Sequence, residues 1–126
     1  MTTATFRKLT TDERSILDRL LEVDFAGRDQ VRTQLAHVTA RTLDDDGGLE
    51  LRTESTVVAN VDRTVPAEAW YQDEDGVRVE LLLHVVHGKV RELEIYKVDA
   101  SPIRLRPAAA SLRIDPRYDD QGSAAN

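Results

Sequence analysis

Cysteine is absent from the 126 residues. Disulfides, thiolate nucleophiles and Cys-ligated metals are therefore excluded in this chain. Long apolar runs are missing too. The longest clean one, Leu81-Leu82-Leu83, ends at His84, far short of the roughly 18 residues that span a bilayer. The opening MTTATFRKLTTDE lacks the apolar stretch of a secretory signal, and a cytoplasmic protein is the expectation. Positive charge is also short: the net charge is -6, which argues against a nucleic-acid or anionic-membrane binder, since both need a basic face. Of the 17 basic residues only three are lysine, a bias that suits a GC-rich bacterial genome. No glycine-rich phosphate loop, nucleophile elbow, HExxH or dinucleotide fingerprint occurs. No cofactor is expected from these motifs, and the enzyme reading is weakened without being closed, because catalytic groups can be discontinuous.

What is present has the size and composition of one domain. The apolar fraction is 40% and the charged fraction 32%, far from a disordered composition. Thr10-Thr11-Asp12-Glu13 reads as a capping box, with Ile16, Leu17, Leu20 and Leu21 following at helical spacing. A shorter helix is expected from Arg28 to about Ala36, with Val31 and Leu35 inward. From His37 the period changes to two. Val38, Ala40 and Thr42, the turn Asp44-Asp45-Asp46-Gly47-Gly48, and Leu49, Leu51 and Thr53 predict a hairpin. Thr56 to Val61 is β-branched and strand-like, and Val65 to Tyr71 alternates as a further strand. Trp70 and its neighbour Tyr71 must then point to opposite faces. As the sole tryptophan, Trp70 is expected in the core, with an exposed partner anchor as the alternative.

Val77 to Val98 gives the clearest hairpin, turning near His87-Gly88. A two-residue turn would set Glu92 and Glu94 against Leu83 and Leu81 and bury carboxylates. A three-residue loop, Val86-His87-Gly88 with Gly88 left-handed, pairs Leu81 with Leu93 and Val79 with Ile95 and keeps one face apolar. That register is the expectation. It places Glu92 diagonally from His84 and Glu94 across from Glu80. Beyond Asp99, Pro102, Pro107 and Pro116 rule out a long helix, and Ser111 to Asp115 can supply a short edge strand. The fold class is therefore α+β, with two N-terminal helices packed on one face of a curved, mainly antiparallel β-meander. Residues 1–118 are expected to form one domain and 119–126 a polar tail.

Candidate functional residues cluster on the other sheet face: Arg78, Glu80, His84, Glu92, Glu94 and Tyr96. A histidine beside carboxylates can act as an oriented general base or help hold a metal. One histidine with scattered glutamates is a thin metal site, however, and a solvated sheet face is the plainer reading. The acidic runs 44–46 and 73–75 lack the ligand spacing of a calcium loop and read as turns. Arg104, Arg106, Arg113 and Arg117 can clamp an anion or pair with the acidic body of the protein, and the second is expected.

The stretches FRKLTTDERSILDRLLEVDFAGRDQVRTQL and EAWYQDEDGVRVELLLHVVHGKVRELEIYKVDASPI resemble a family of small uncharacterised bacterial proteins known only as a domain of unknown function. The LLHV-x-x-G-x-x-x-ELEIY segment would be its signature. The resemblance implies a compact α+β fold and supplies no activity, cofactor or site residue. Three functions fit. The first is a non-enzymatic binding module of immunity, antitoxin or accessory kind, holding a basic protein partner on the charged face. The second is a small-molecule binder or enzyme with a cavity between helices and sheet, using His84 as base. The third is a homodimer joined by its sheet faces. Neither nucleic acid nor membrane is an expected partner.

Overall fold

The computed structural model describes residues 5–114. Two helices and seven strands follow in the order β1 (Arg7–Lys8), α1 (Thr11–Leu20), α2 (Arg28–Leu35), β2 (Val38–Thr42), β3 (Leu49–Thr53), β4 (Ala67–Gln72), β5 (Arg78–Val86), β6 (Lys89–Lys97) and β7 (Arg113–Ile114). They build one open antiparallel sheet ordered β1-β2-β3-β6-β5-β4-β7. The expected α+β class holds, as does the placing of both helices on a meander-like sheet. The sheet is assembled from two antiparallel runs, β1-β2-β3 and β4-β5-β6, that meet where Leu49 lies opposite Leu93 and Glu50 opposite Glu92. The C-terminal segment adds β7 along the free edge of β4. No helix among the described residues is long and apolar enough to cross a membrane.

Helix α1 starts as its sequence dictates. The Thr10 side chain accepts the Glu13 N–H, and the Glu13 carboxylate accepts the Thr10 N–H, closing the capping box. Glu13 is also held by a forked pair from Arg7, at 2.8 and 2.9 Å. The Arg7 bonds hold the Glu13 carboxyl below the usual range, against the upward push of burial. Ile16, Leu17 and Leu20 then enter a core shared with Leu81, Leu83, Leu93 and Ile95 from the strands.

The β5–β6 hairpin corrects the expected register. Leu81 faces Ile95, Leu83 faces Leu93 and Val79 faces Lys97. The turn has two residues, His87 and Gly88, both with positive φ (52° and 76°), the twist that suits a right-handed strand pair. Such a turn alone would have buried Glu92 and Glu94. The register instead slips by one residue between His84 and Val85, leaving Arg91 unpaired as a bulge. The bulge restores the pleat, so the apolar residues stay inward and both glutamates stay outward. Consequently Glu92, not a diagonal neighbour, lies across from His84, and Glu80 lies across from Tyr96.

Two further expectations fail for physical reasons. Thr56 to Val61 forms no strand among the described residues. Its main chain is used elsewhere: Ala59 N–H donates to Gly88 O at 2.9 Å, and Val57 O accepts from the Gln34 side chain at 2.9 Å. Trp70 is not a core residue. Tyr71 takes the inward position, and Trp70 is half-buried on the outer face, with the Arg78 guanidinium 3.9 Å and that of Arg113 5.4 Å from its ring centre. Stacking against cations gives the indole partial cover without burial in the core.

Candidate functional site

Strand alternation decides which side chains leave the core. On the face turned away from the helices, the register aligns three cross-strand rows. Arg41, Glu50, Glu92 and His84 run across β2, β3, β6 and β5. Glu68, Leu82 and Glu94 form the next row, and Trp70, Glu80 and Tyr96 another. All six residues expected from the sequence, Arg78, Glu80, His84, Glu92, Glu94 and Tyr96, therefore occupy this face. Glu50, Arg41, Glu68, Trp70 and Arg113 join them.

The local pairing is uneven. His84 Nε2 lies 2.8 Å from Glu94 Oε1, so the diagonal carboxylate, and not the one directly across, orients the ring. Glu50 is paired with Arg41, which offsets the repulsion expected from its neighbour Glu92. Glu92 itself has no hydrogen-bond or ion-pair partner among the described residues. Glu80 Oε2 is 2.6 Å from Arg78 Nε, an ion contact without hydrogen-bond alignment. Burial and the Glu80 and Glu94 charges push the Tyr96 hydroxyl up, so it stays a neutral donor at physiological pH. Tyr96 is 40% exposed and Val98, just past the end of β6, 53%. Among the described residues no three His, Asp or Glu side chains are placed to hold a metal ion.

The arginines of the C-terminal segment disperse over the protein's own body. Arg104 Nε lies 3.8 Å from Asp75, Arg106 donates to Asp45 O at 3.1 Å, and Arg113 stacks on Trp70. Arg117 lies outside the described residues. No anion clamp is assembled from the three that are described.

Inside the fold the sequence concealed two polar centres. Gln34 is fully buried and stitches α2 to three backbone groups: Val57 O and Gly88 O accept from it at 2.9 and 2.7 Å, and Val90 N–H donates to it at 2.8 Å. Lys97, only 3% exposed, donates to Asp73 at 2.8 Å, Asp75 at 2.7 Å and Pro102 O at 3.2 Å. Asp73 also accepts the N–H groups of Glu74, Arg104 and Leu105, each at 2.8 Å. Burial pushes its carboxyl up, but these bonds outweigh that push and hold it well below the usual carboxylate range. The residue thus pins segment 104–105 to the sheet. The Tyr71 hydroxyl, pushed up to about 12 by burial, secures the same segment by donating to Leu105 O at 2.6 Å. Asp73 looked like turn chemistry in the sequence because its neighbours Glu74, Asp75 and Gly76 do form a turn.

A cavity of about 550 Å³ does lie between α1 and the sheet, but Leu49, Leu93 and Ile95 form its floor. His84 alternates with the inward Leu83 and Val85 and so sits on the other side of the sheet. This cavity is therefore out of reach of His84 as a base.

The arrangement defines a small α+β protein with helices on one side of an open antiparallel sheet and a charged face on the other. A family model described as a domain of unknown function, DUF6984, matches residues 6–107, and the chain belongs to that family. No curated protein and no solved structure matches it.

Proposed function

We propose that this protein is a non-enzymatic binding module, of immunity, antitoxin or accessory kind, that holds a basic protein partner on its outer sheet face. The observation that carries the reading is an exposed aromatic side chain on a face where one acid, Glu92, is left without a cation. Tyr96 stands open across from Glu80, whose charge Arg78 meets, and Glu92 on the same face lacks a cation among the described residues. An exposed aromatic anchor on a face with spare negative charge suits a partner that supplies Lys or Arg at the rim. The proposal includes a bacterial setting, suggested by the arginine-rich composition, and a cytoplasmic one.

The His84–Glu94 pair favours a second reading, because a carboxylate-oriented imidazole is the unit of general-base catalysis. Catalysis also needs a concavity that holds substrate against the base, and the pair lies on a sheet face with a quarter of the His84 side chain exposed. Binding is therefore the better-supported function.

The test is affinity capture from the host lysate with the tagged wild type and with a bait carrying His84→Ala, Glu92→Ala and Tyr96→Ala. The variant's fold is checked first by circular dichroism. A stoichiometric basic protein, released by salt and absent from the folded variant, is the expected result. Equal recovery on both baits, or recovery of the protein alone as a concentration-dependent dimer, would overturn the proposal.

A further inference from the structure

Of the three histidines, only His84 stands in ion-pair range of a carboxylate among the described residues, with Nε2 2.8 Å from Glu94 Oε1. Cross-strand pairing puts a second acid, Glu92, directly opposite it. A quarter of its side chain is exposed, so protons reach the ring from solvent. Histidine is the side chain whose charge ordinarily changes between about pH 5 and 8.

The other charges around the ring come from every neighbouring element. In the row that crosses His84, Glu50 of β3 is paired with Arg41 of β2. Along β5 itself, Glu80 is met by Arg78. Strand β4 contributes Glu68, in the row of Leu82 and Glu94. Segment 62–64 passes beside Val85, whose N–H donates to Thr64 O at 2.8 Å, and it carries Asp62 and Arg63. Arg91, exposed at the bulge, precedes Glu92 in the chain. Among the described residues Glu94 has only His84 as an ion-pair partner, and Glu92 has none. With a neutral ring both carboxylates keep their charge for a partner. With a protonated ring one of the two is answered from within the protein.

We infer that His84 is a pH switch for the outer face, whose protonation sets a cation between Glu94 and Glu92 and releases a basic partner. The inference rests on the binding reading above and adds its regulation. Above the histidine range the two acids are open to a Lys or Arg of the partner. As pH falls through that range, the proton on His84 takes the place of the partner's charge. Linkage is reciprocal, so a bound partner disfavours the proton in turn.

The test uses beads carrying the whole protein as wild type, as His84→Gln, or as His37→Gln at an exposed position before β2. Each is loaded with host lysate at pH about 7.5 and washed at that pH or at about 5.5, at one ionic strength. The basic protein retained is quantified by mass spectrometry, and circular dichroism checks that each bait stays folded at the lower pH. The acid wash should leave about fivefold less partner on the wild-type and His37→Gln baits, and an unchanged amount on His84→Gln. Equal retention at both pH values by the wild type, or a His84→Gln bait stripped as readily as wild type, would overturn the switch and leave the binding reading standing. A His84→Gln bait that captures no partner at neutral pH would also overturn the switch, because the neutral ring is given no part in holding the partner. A wild-type bait with no basic partner at neutral pH would overturn the binding reading and the switch together.

Discussion

Replacing Gln34 with alanine should destabilise the protein far more than its polar character suggests. The side chain is fully buried, and its amide meets Val57 O, Gly88 O and Val90 N–H. Gly88 O retains the Ala59 N–H as a donor after the change, and Val57, at the surface, can turn its carbonyl to water. Val90 N–H has neither recourse. An orphaned buried backbone donor costs about 1–3 kcal/mol, and the lost packing adds about 1 kcal/mol. The expected loss is therefore about 2–4 kcal/mol, a large share of the roughly 5–15 kcal/mol typical of a domain. Urea unfolding followed by circular dichroism reads it directly. Gln34→Glu gives a sharper form of the test. A carboxylate there keeps the acceptor for Val90 but turns a second oxygen on two carbonyls, so its folded pKa must rise above the unfolded value of about 4.3. A raised acid supports the fold below its unfolded pKa and ceases to as pH rises through the folded value. The glutamate variant should thus approach wild type at low pH and fall behind it at neutral pH. A loss below about 1 kcal/mol for Gln34→Ala, or a Gln34→Glu deficit that does not grow with pH, would refute the reasoning.

The Asp73 carboxyl has its folded pKa depressed, so its stabilising effect is present above an unfolded pKa of about 3.9 and is lost as pH falls through the folded value. Asp73→Asn should accordingly lower stability at neutral pH and flatten the acid limb of the stability curve; parallel limbs for the two proteins would contradict this. Gly88→Ala combines a left-handed φ with a new Cβ 2.4 Å from Val58 Cγ1, whereas Gly76→Ala, also left-handed, meets nothing within 4 Å. Gly76→Ala should cost about 1 kcal/mol from strain alone, and Gly88→Ala clearly more, with equal midpoints in urea arguing against the packing explanation.

Local patterns carried the first half of α1, the β2–β3 hairpin and the alternation of β5 and β6, because capping bonds, turn residues and pleat parity act over a few positions. The same parity put His84, Glu92, Glu94, Glu80, Arg78 and Tyr96 on one face without any knowledge of the register. The register was another matter. Pleat parity favoured the three-residue loop, and the bulge at Arg91 that reconciles a two-residue turn with buried leucines leaves no mark in residue type.

Glu50 and Arg41 were missing from the expected site because nothing local says that β3 lies beside β6. That neighbour pair joins residues over forty positions apart, and only closure of the core selects it. The β-branched run at Thr56 to Val61 misled for a related reason: its backbone groups found Gln34 and Gly88 before they found a strand. Nothing in the sequence singled out Gln34 or Lys97, and Asp73 read as a turn residue. By itself the sequence determined the type of most elements, the two faces of the sheet and the excess of acid, all of which depend on near neighbours and composition. Tertiary structure alone decided the strand order and the buried Gln34 and Lys97–Asp73 centres. Each of these requires groups distant in the chain to share a dry space, where an unmet hydrogen bond or charge costs more than any local preference.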